Sequence, residues 1–310
     1  MRRGSRLGGI VLVALGVLAG ALVRAPATAD LHFGGPVPAG FAGPTLTVRQ
    51  ARLRARVDVA IDRVLGYTST LRAGGSRRRE VALTFDDGPS PYTPAVIAVL
   101  QRLHVPATFF PTAQMVAAYP AIARQELEVG VGIGDHTVTH PFLAALSTQA
   151  QRAEILGAAD RLRAAGAPFP RFFRPPYESF DQSTLDVARA ARMLMVLWSV
   201  DTRDFSRPGA RRILATAVAG ARPGAIILMH DGGGPREQTV AALPGLVRDL
   251  RARRFRLVTV GRMLLEDPPP RPRPAGGGGR VRAGGSRRAA SGRARPRGPG
   301  PATRGGRAAG

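Results

Sequence analysis

The chain contains no cysteine, which excludes disulfide bonds and thiolate metal ligands. Any metal ion must therefore be held by histidine and carboxylate side chains. Histidine is itself scarce, with five residues among 310, and tryptophan occurs once. A hydrophobic content of 44% is nevertheless enough for a sizeable core, so at least part of the chain should be globular.

Lysine is also absent, and the 45 basic side chains, all arginine, outnumber 21 acidic ones to give a net charge of +24. Eleven arginines and no acidic residue lie in 268–310, a Pro/Gly/Arg-rich tail that is predicted to be disordered because it has almost nothing to bury. The tail lacks the aromatic residues of a base-stacking surface, so its charge does not favour nucleic-acid binding. Its charge favours electrostatic contact with an anionic polymer other than nucleic acid.

The first 29 residues have the pattern of an export segment. Three arginines within the first six residues precede an uncharged apolar run over 7–23, and Ala-Thr-Ala at 27–29 offers a small-x-small cleavage pattern. Residues 1–29 are therefore interpreted as a signal peptide or a membrane anchor. Both alternatives predict an extracytoplasmic protein, either secreted or anchored to the membrane by this segment.

Residues 30–79 are predicted to form an extended segment, a helix and a linker. Apolar residues recur at helical spacing over 47–66, which predicts a helix that either packs on the main domain or acts as a stalk. Gly-Gly-Ser-Arg-Arg-Arg at 74–79 is typical of a linker.

From residue 80 to 267, short apolar strands alternate with amphipathic helices. The predicted strands are 81–85, 107–111, 130–134, 171–174, 193–200, 225–229 and 256–260, with helices that include 94–103, 148–165 and 211–219. This alternation predicts an α/β fold with a parallel sheet of about seven strands, closed or nearly closed into a barrel.

Polar residues cluster where the predicted strands end, which is where parallel α/β folds place their sites. TFDDGP occupies 84–89, HTVTH occupies 136–140, and LMHD at 228–231 ends a third strand. Alone, adjacent carboxylates suit a polar turn, and two histidines four apart are often surface residues. RPPY at 174–177 and DTRDF at 201–205 follow two further apolar runs. His32 and His104 lack such surroundings.

These five clusters, in this order, resemble the motifs of the polysaccharide deacetylase family, whose catalytic unit is the NodB homology domain (carbohydrate esterase family 4). The resemblance covers residues 80 to about 265. It implies a distorted (β/α) barrel with fewer than eight strands, and residues 80–267 are assigned to this catalytic domain.

The resemblance implies that Asp87, His136 and His140 bind a divalent metal ion. Two imidazoles and one carboxylate suit Zn²⁺ best, with Co²⁺ or another divalent ion as the alternative. Bound there, the ion would polarise the acetyl carbonyl and activate a water molecule.

The resemblance also implies an acid and a base. Asp86 would be the general base, held in position by Arg174, and His230 would be the general acid that protonates the departing amine. Asp201 would orient His230, with Asp204 as the alternative.

Three residues are implied to contact the substrate: Tyr177, whose backbone N–H would also stabilise the oxyanion, Phe205 and Leu228. Phe205 stands where the family has Trp. Glu178 stands where the family has Gly, and is expected to alter the Tyr177 turn or to contact substrate. Asp135 replaces an Asn and is expected to add a charge near the metal.

The implied activity is metal-dependent removal of N-acetyl groups from a cell-wall polysaccharide. Peptidoglycan N-acetylglucosamine or N-acetylmuramic acid is the expected substrate, and chitin oligomers or acetylated xylan are alternatives. The rival hypothesis is a non-catalytic polysaccharide-binding protein with the same fold.

Overall fold

The computed structural model describes residues 47–128 and 132–272. The predicted export segment, the extended segment up to residue 46 and the tail from residue 273 lie outside these ranges. No helix within the described ranges combines the length and the apolar character needed to cross a membrane.

Helices and strands alternate along the described chain. The α-helices are α1 (Val48–Leu65), α2 (Thr93–Arg102), α3 (Ala113–Ala118), α4 (Pro120–Glu128), α5 (Thr148–Ala164), α6 (Gln182–Ala190), α7 (Ala210–Gly220), α8 (Glu237–Ala252) and α9 (Val260–Glu266). The strands are β1 (Thr70–Leu71), β2 (Glu80–Asp86), β3 (Thr108–Phe110), β4 (Gly132–Ile133), β5 (Phe172–Phe173), β6 (Leu194–Val196), β7 (Val200–Asp201), β8 (Ala225–His230) and β9 (Arg256–Val258).

Strand β2 lies at the centre of the larger sheet, whose order is β4-β3-β2-β8-β7. Its first half pairs with β9 and its last half with β3, while β8 runs along its other edge. A second sheet has the order β1-β6-β5, and a parallel bridge between Asp135 and Phe173 joins it to the end of β4. All these strand pairs are parallel, so the predicted α/β distorted barrel is confirmed.

The predicted strand 193–200 is in fact two strands that belong to different sheets. β6 pairs with β1 and β5, whereas β7 pairs with β8. Between them the Ser199 N–H donates a 3.0 Å hydrogen bond to the Ile226 carbonyl, so the chain has already crossed to the larger sheet. A continuous apolar run cannot reveal such a crossing, because both strands are buried on both faces. The two-residue strand β1 escaped prediction because it is too short to show an alternation.

All seven residues of β2 are buried, and their alternation separates two environments. Val81, Leu83 and Phe85 pack in a core beneath α2 and α8. Ala82 packs in a second core with side chains from β3, β6 and β8. The same period of two places Asp86 on the side of Ala82, away from Phe85, at the carboxyl end of the strand.

Helix α1 packs on the barrel, which answers the question that the sequence left open. It begins at a capping box in which Thr47 and Gln50 exchange side-chain-to-backbone hydrogen bonds. Its last turns bury Ala60, Ile61 and Val64 in the core that also contains residues of α9. The helix is therefore part of the domain rather than a free stalk.

The segment 74–79, predicted as a linker, is held by hydrogen bonds to the barrel. The Gly74 N–H donates to the Gly224 carbonyl at 2.8 Å, and the Gly75 N–H donates to the Asp267 carbonyl at 2.7 Å. The buried Asp267 carboxylate also accepts a 2.9 Å hydrogen bond from Arg77. Glycine is needed at position 75 because a Cβ there would lie 2.1 Å from the Asp267 carboxylate.

Candidate active site

The carboxyl ends of the central strands meet at one mouth of the barrel. Asp86 ends β2 and stands in register with His230, which ends β8. A cavity of about 640 Å³ opens at this point. Its lining includes the predicted acid, base, metal ligands and substrate contacts together with Asp201, but not Arg174 or the alternative carboxylate Asp204. The strand ends have therefore brought together residues that lie up to 144 positions apart in the chain, as Asp86 and His230 do.

Three of the predicted residues could hold a metal ion. The Asp87 Oδ1 lies 3.0 Å from the His140 Nε2 and 3.4 Å from the His136 Nε2. One ligand atom from each residue lies within 4.8 Å of the other two. The Asp87 Oδ1 is buried and has no hydrogen-bond partner among the described residues. Ligands about 2 Å from one ion have such mutual separations, so this set fits a divalent cation.

The histidine ring orientations suit metal binding. The His136 Nδ1 lies 2.7 Å from the Arg174 carbonyl oxygen. Because a carbonyl only accepts, Nδ1 carries a proton, and Nε2 is the ring atom that would bind an ion held together with Asp87. Burial lowers the pKa of His136, but the charges of Asp86 and Asp87 outweigh burial and raise it. The negative potential that raises this pKa also favours a cation.

The backbone conformation of Asp87 sets its position, and the neighbouring histidines set its charge. Its φ of 72° is left-handed and lets the chain turn directly after β2. Asp86 and Asp87 can consequently take different surroundings although they are adjacent. Burial acts to raise the pKa of Asp87, but the His136 and His140 imidazoles hold it well below its usual range.

A carboxylate that the sequence analysis missed holds the histidine loop. Glu154, on α5, accepts hydrogen bonds at 2.9 Å from the Val138 and Thr139 N–H groups and one at 2.8 Å from the Thr139 hydroxyl. The segment between the histidines is a loop rather than a helix, with φ of 64° at His140. Glu154 satisfies donors that a helix would have paired, but no local motif marks it as a partner of the loop.

Arg174 holds Asp86, as the resemblance implied. Its Nη1 lies 2.6 Å from the Asp86 Oδ1 and 3.0 Å from the Thr84 hydroxyl, and its Nε donates to the Val196 carbonyl at 2.9 Å. Its guanidinium is fully buried and lies 4.1 Å from the Phe110 ring centroid. The other oxygen of Asp86, Oδ2, lies 3.8 Å from the His136 Nε2 and is therefore beside the metal ligands.

The preferred assignment of Asp201 as the partner of His230 was wrong, and the alternative, Asp204, is confirmed. Asp204, not Asp201, contacts the ring: its Oδ1 lies 2.7 Å from the His230 Nδ1, and its Oδ2 accepts the His230 backbone N–H at 2.9 Å. Asp201 stands in register with Leu228, two residues short of His230, and accepts a hydrogen bond from the Arg203 N–H. The turn that follows β7 is needed to carry a carboxylate as far as His230.

The Asp204 carboxylate controls the charge of His230. Burial alone would lower the pKa of His230, but the hydrogen bond and charge of Asp204, with smaller contributions from Asp87 and Asp86, raise it to about 9. The pKa of Asp204 is correspondingly lowered. His230 is therefore protonated at neutral pH and is suited to act as a general acid.

The predicted substrate contacts lie around the cavity. Tyr177, Phe205 and Leu228 all line it, and the Phe205 ring stands edge-on to His230 with centroids 5.7 Å apart. Tyr177 and Glu178 have φ of 57° and 56°. The Glu178 carboxylate turns away from the cavity to form an ion pair with Arg72.

Asp135 does not add the expected charge at neutral pH. Its side chain is fully buried, and its Oδ1 accepts a 2.8 Å hydrogen bond from the Thr137 N–H. Burial raises the pKa of Asp135 to about 8. The carboxyl group is therefore mainly neutral at pH 7, which resembles the Asn that the family has there.

Fold and site together define a parallel barrel with an Asp-His-His cluster that fits a divalent cation, a separate carboxylate held by an arginine, and a histidine whose pKa is raised by a buried aspartate. Comparison with known proteins agrees with this class. Residues 73–196 match the family model of polysaccharide deacetylase. A chitooligosaccharide deacetylase of a Bradyrhizobium species is 40% identical over 195 residues, which cover 59% of this chain and 89% of the relative. A peptidoglycan-N-acetylglucosamine deacetylase of Bacillus cereus is 37% identical over 187 residues, 59% of this chain and 87% of the relative.

Solved structures extend the likeness to three dimensions. The Bc1960 peptidoglycan N-acetylglucosamine deacetylase superposes with a TM-score of 0.62 at 33% identity, covering 64% of this chain and 94% of that one. BA3943, described as a pseudoenzyme of carbohydrate esterase family 4 from Bacillus anthracis, superposes with a TM-score of 0.60 at 26% identity, covering 63% of this chain and 68% of that one. The chain belongs to the polysaccharide deacetylase family and is a hydrolase of carbohydrate esterase family 4. Enzymes of this family are metal-dependent in general.

Proposed function

We propose that this protein removes N-acetyl groups from the N-acetylglucosamine units of peptidoglycan. The observation that carries the proposal is that two adjacent aspartates at the barrel mouth have different partners. Asp87 joins His136 and His140, while Asp86 is held separately by Arg174. Relatives that act on peptidoglycan and on chitooligosaccharides share this family, and the predicted export segment favours the wall polymer.

Asp87, His136 and His140 would hold the metal ion. Bound by these residues, a divalent cation supplies Lewis-acid activation of water and of the acetyl carbonyl. Two neutral imidazoles and one carboxylate favour Zn²⁺ among the common divalent ions. Purified protein should therefore contain about one zinc per chain, as measured by elemental analysis, and Co²⁺ should restore activity after chelation.

Asp86 acts as the general base. Arg174 engages its Oδ1 at 2.6 Å, which fixes the carboxylate plane. The Oδ2 remains beside the metal ligands, 3.8 Å from the His136 Nε2, where a water molecule can reach it. Asp86 takes one proton from this water molecule as the water oxygen forms a bond to the acetyl carbon. The backbone N–H of Tyr177 stabilises the negative charge that develops on the carbonyl oxygen.

His230 completes the reaction as the general acid. Asp204 accepts from its Nδ1, so the proton to be transferred resides on Nε2. This proton passes to the sugar nitrogen as the carbon–nitrogen bond breaks. The products are acetate and a free amine. Asp204 stabilises His230 in the charged form that the step requires.

Acetate release by the full-length protein tests this function. The substrates are purified peptidoglycan and a tetramer of N-acetylglucosamine, each with and without added Zn²⁺. The variant His136→Ala should lose release, whereas His104→Ala, a histidine exposed away from the cavity, should retain it. Preference for the tetramer would assign the chain to the chitooligosaccharide branch instead.

The pseudoenzyme among the solved neighbours makes a non-catalytic protein the rival to exclude. The complete set of Asp86, Asp87, His136, His140 and His230 in one cavity supports catalysis. Metal-loaded, folded protein that releases no acetate from either substrate would favour the binding-protein alternative.

We also infer an extracytoplasmic location from the basic and apolar pattern of residues 1–29. The eleven arginines of 268–310 support retention on anionic wall polymers, which salt should weaken. Wall fractions from cells with the full-length or the tail-deleted protein, washed at low and high salt, test the second point. Equal retention of both proteins would contradict it.

A further inference from the structure

Large apolar side chains are exposed in two places on the described part of the chain. One group lies on helix α1, and the other consists of three aromatic residues near the barrel mouth. The aromatic side chains are Phe142, 59% exposed, Tyr177, 57% exposed, and Phe205, 48% exposed. Tyr177 and Phe205 line the cavity, whereas Phe142 lies beyond it and has no place in the mechanism.

Phe142 extends the aromatic surface of the cavity outwards. Its ring is stacked on the Tyr177 ring, with centroids 4.1 Å apart and an interplanar angle of 14°. The Tyr177 ring in turn stands edge-on to the His140 ring at 4.5 Å. A continuous row of rings therefore leads from a metal ligand, through a cavity residue, to an exposed aromatic side chain.

The stacked pair is fixed by the turns that carry it. Leu143, the residue after Phe142, is fully buried and anchors one turn in the core of α5 and α6. The Ala144 N–H donates a 3.1 Å hydrogen bond to the Ser179 hydroxyl, which ties this turn to that of Tyr177. The exposed ring is consequently preorganised, which lowers the entropy cost of binding against it.

We propose that Phe142 is a glycan-binding residue and that the outer face of its ring, backed by the stacked Tyr177 ring, forms a platform for the sugar ring adjacent to the one being deacetylated. The inference rests on the proposed function, since a polymeric substrate must leave the cavity along its surface. A pyranose ring presents apolar C–H faces and polar edges, and a flat exposed aromatic ring complements such a face.

Chain-length dependence of the kinetics tests the platform. The ratio of kcat/KM for an N-acetylglucosamine tetramer to that for the dimer is measured in wild type, Phe142→Ala and Phe142→Tyr. Loss of the ring should lower this ratio roughly fivefold through KM, and tyrosine should restore it. Val59→Ala, which removes an exposed apolar side chain from α1, is the matched control and should leave the ratio unchanged.

A binding titration separates the platform from catalysis. The tetramer is titrated into Asp86→Asn protein with and without Phe142→Ala, and the dissociation constant should rise roughly fivefold when the ring is absent. Equal dissociation constants, or an unchanged kinetic ratio in an active protein, would overturn the platform alone. Absence of acetate release by wild type, with the binding difference preserved, would overturn the proposed function and leave the platform standing. Phe142→Gln repeats each measurement if the alanine variant does not fold.

Discussion

Replacing Asp204 by Asn should move the alkaline limit of activity. The change preserves the shape of the side chain but removes the charge that lies 2.7 Å from the His230 Nδ1. Asp204 is the main reason that the pKa of His230 reaches about 9 rather than its ordinary 6.5. Because His230 must be protonated to donate, activity is lost as the pH rises through this pKa.

The size of the effect follows from the two pKa values. At about pH 8, a group with a pKa of about 9 is some 90% protonated, whereas one with a pKa of 6.5 is about 3% protonated. Full loss of the shift would therefore lower kcat about thirtyfold at that pH and little at about pH 6. A nearby divalent cation lowers the pKa of His230 in wild type and variant alike. The test is therefore the difference between the two proteins in the pH at which activity is lost.

The assay is the pH profile of kcat for acetate release from the N-acetylglucosamine tetramer. The descending limb should lie at lower pH in Asp204→Asn than in wild type. Asp201→Asn is the matched control, because Asp201 accepts from the Arg203 N–H and stands in register with Leu228 rather than with His230. Identical limbs in wild type and Asp204→Asn, or a displaced limb in Asp201→Asn, would refute the assignment.

Three further predictions concern buried and strained residues. Arg174→Lys should lower kcat about 10²-fold and lower the melting temperature, because lysine cannot bind Asp86 while also donating to the Val196 carbonyl of β6. An unchanged kcat would contradict this expectation. Glu178→Gly should raise the free energy of unfolding by about 0.5–1 kcal/mol in urea titrations, because glycine adopts a φ of 56° without strain. The exposed ion pair with Arg72 that is lost contributes little stability. A destabilised variant would contradict this expectation. Glu126 is fully buried, and burial raises its pKa well above normal, so the folded state holds an extra proton and loses stability as the pH rises. Glu126→Gln should therefore lose less stability than wild type between about pH 6 and 9 in thermal melts. Parallel curves of melting temperature against pH for the two proteins would contradict the reasoning.

The strand ends are the part of the site that the sequence predicts best. β2 and β8 are buried along their whole length, so their apolar runs mark where each strand ends. Asp86 and His230 are the last residues of these two strands, so the apolar runs predict their positions. Residues fixed by backbone register at a strand end can be predicted because the local pattern and the fold agree.

The partners of those residues are harder to predict. Asp201 and Asp204 are both acidic and lie in one motif, and only the pairing of β7 with β8 shows that Asp201 falls short of His230. Glu154 lies on α5, which follows the histidine loop in the chain, and contacts that loop through hydrogen bonds. The residues around Glu154 in the sequence do not distinguish it from a surface glutamate. Long-range side-chain contacts depend on tertiary packing, which a periodic pattern does not encode.

Burial changes the chemistry that a residue name suggests. Asp135 appears charged in the sequence, but full burial raises its pKa to about 8 and leaves it mainly neutral at pH 7. Arg174 appears as a polar residue at a strand end, but it lies fully buried against Asp86 and the Phe110 ring. In both cases the sequence gives the group but not its solvation, which sets its charge and its partners.

Metal binding and proton abstraction are assigned to two adjacent but different carboxylates, Asp87 and Asp86. Metal content and acetate release, measured on the same preparations of wild type, Asp86→Asn and Asp87→Asn, test this assignment directly. Wild type and Asp86→Asn should each contain about one metal per chain, and acetate release should be at least about 10²-fold lower in Asp86→Asn. Asp87→Asn should lose both. Full activity in metal-loaded Asp86→Asn would contradict this assignment, as would metal that is lost from Asp86→Asn and retained by Asp87→Asn.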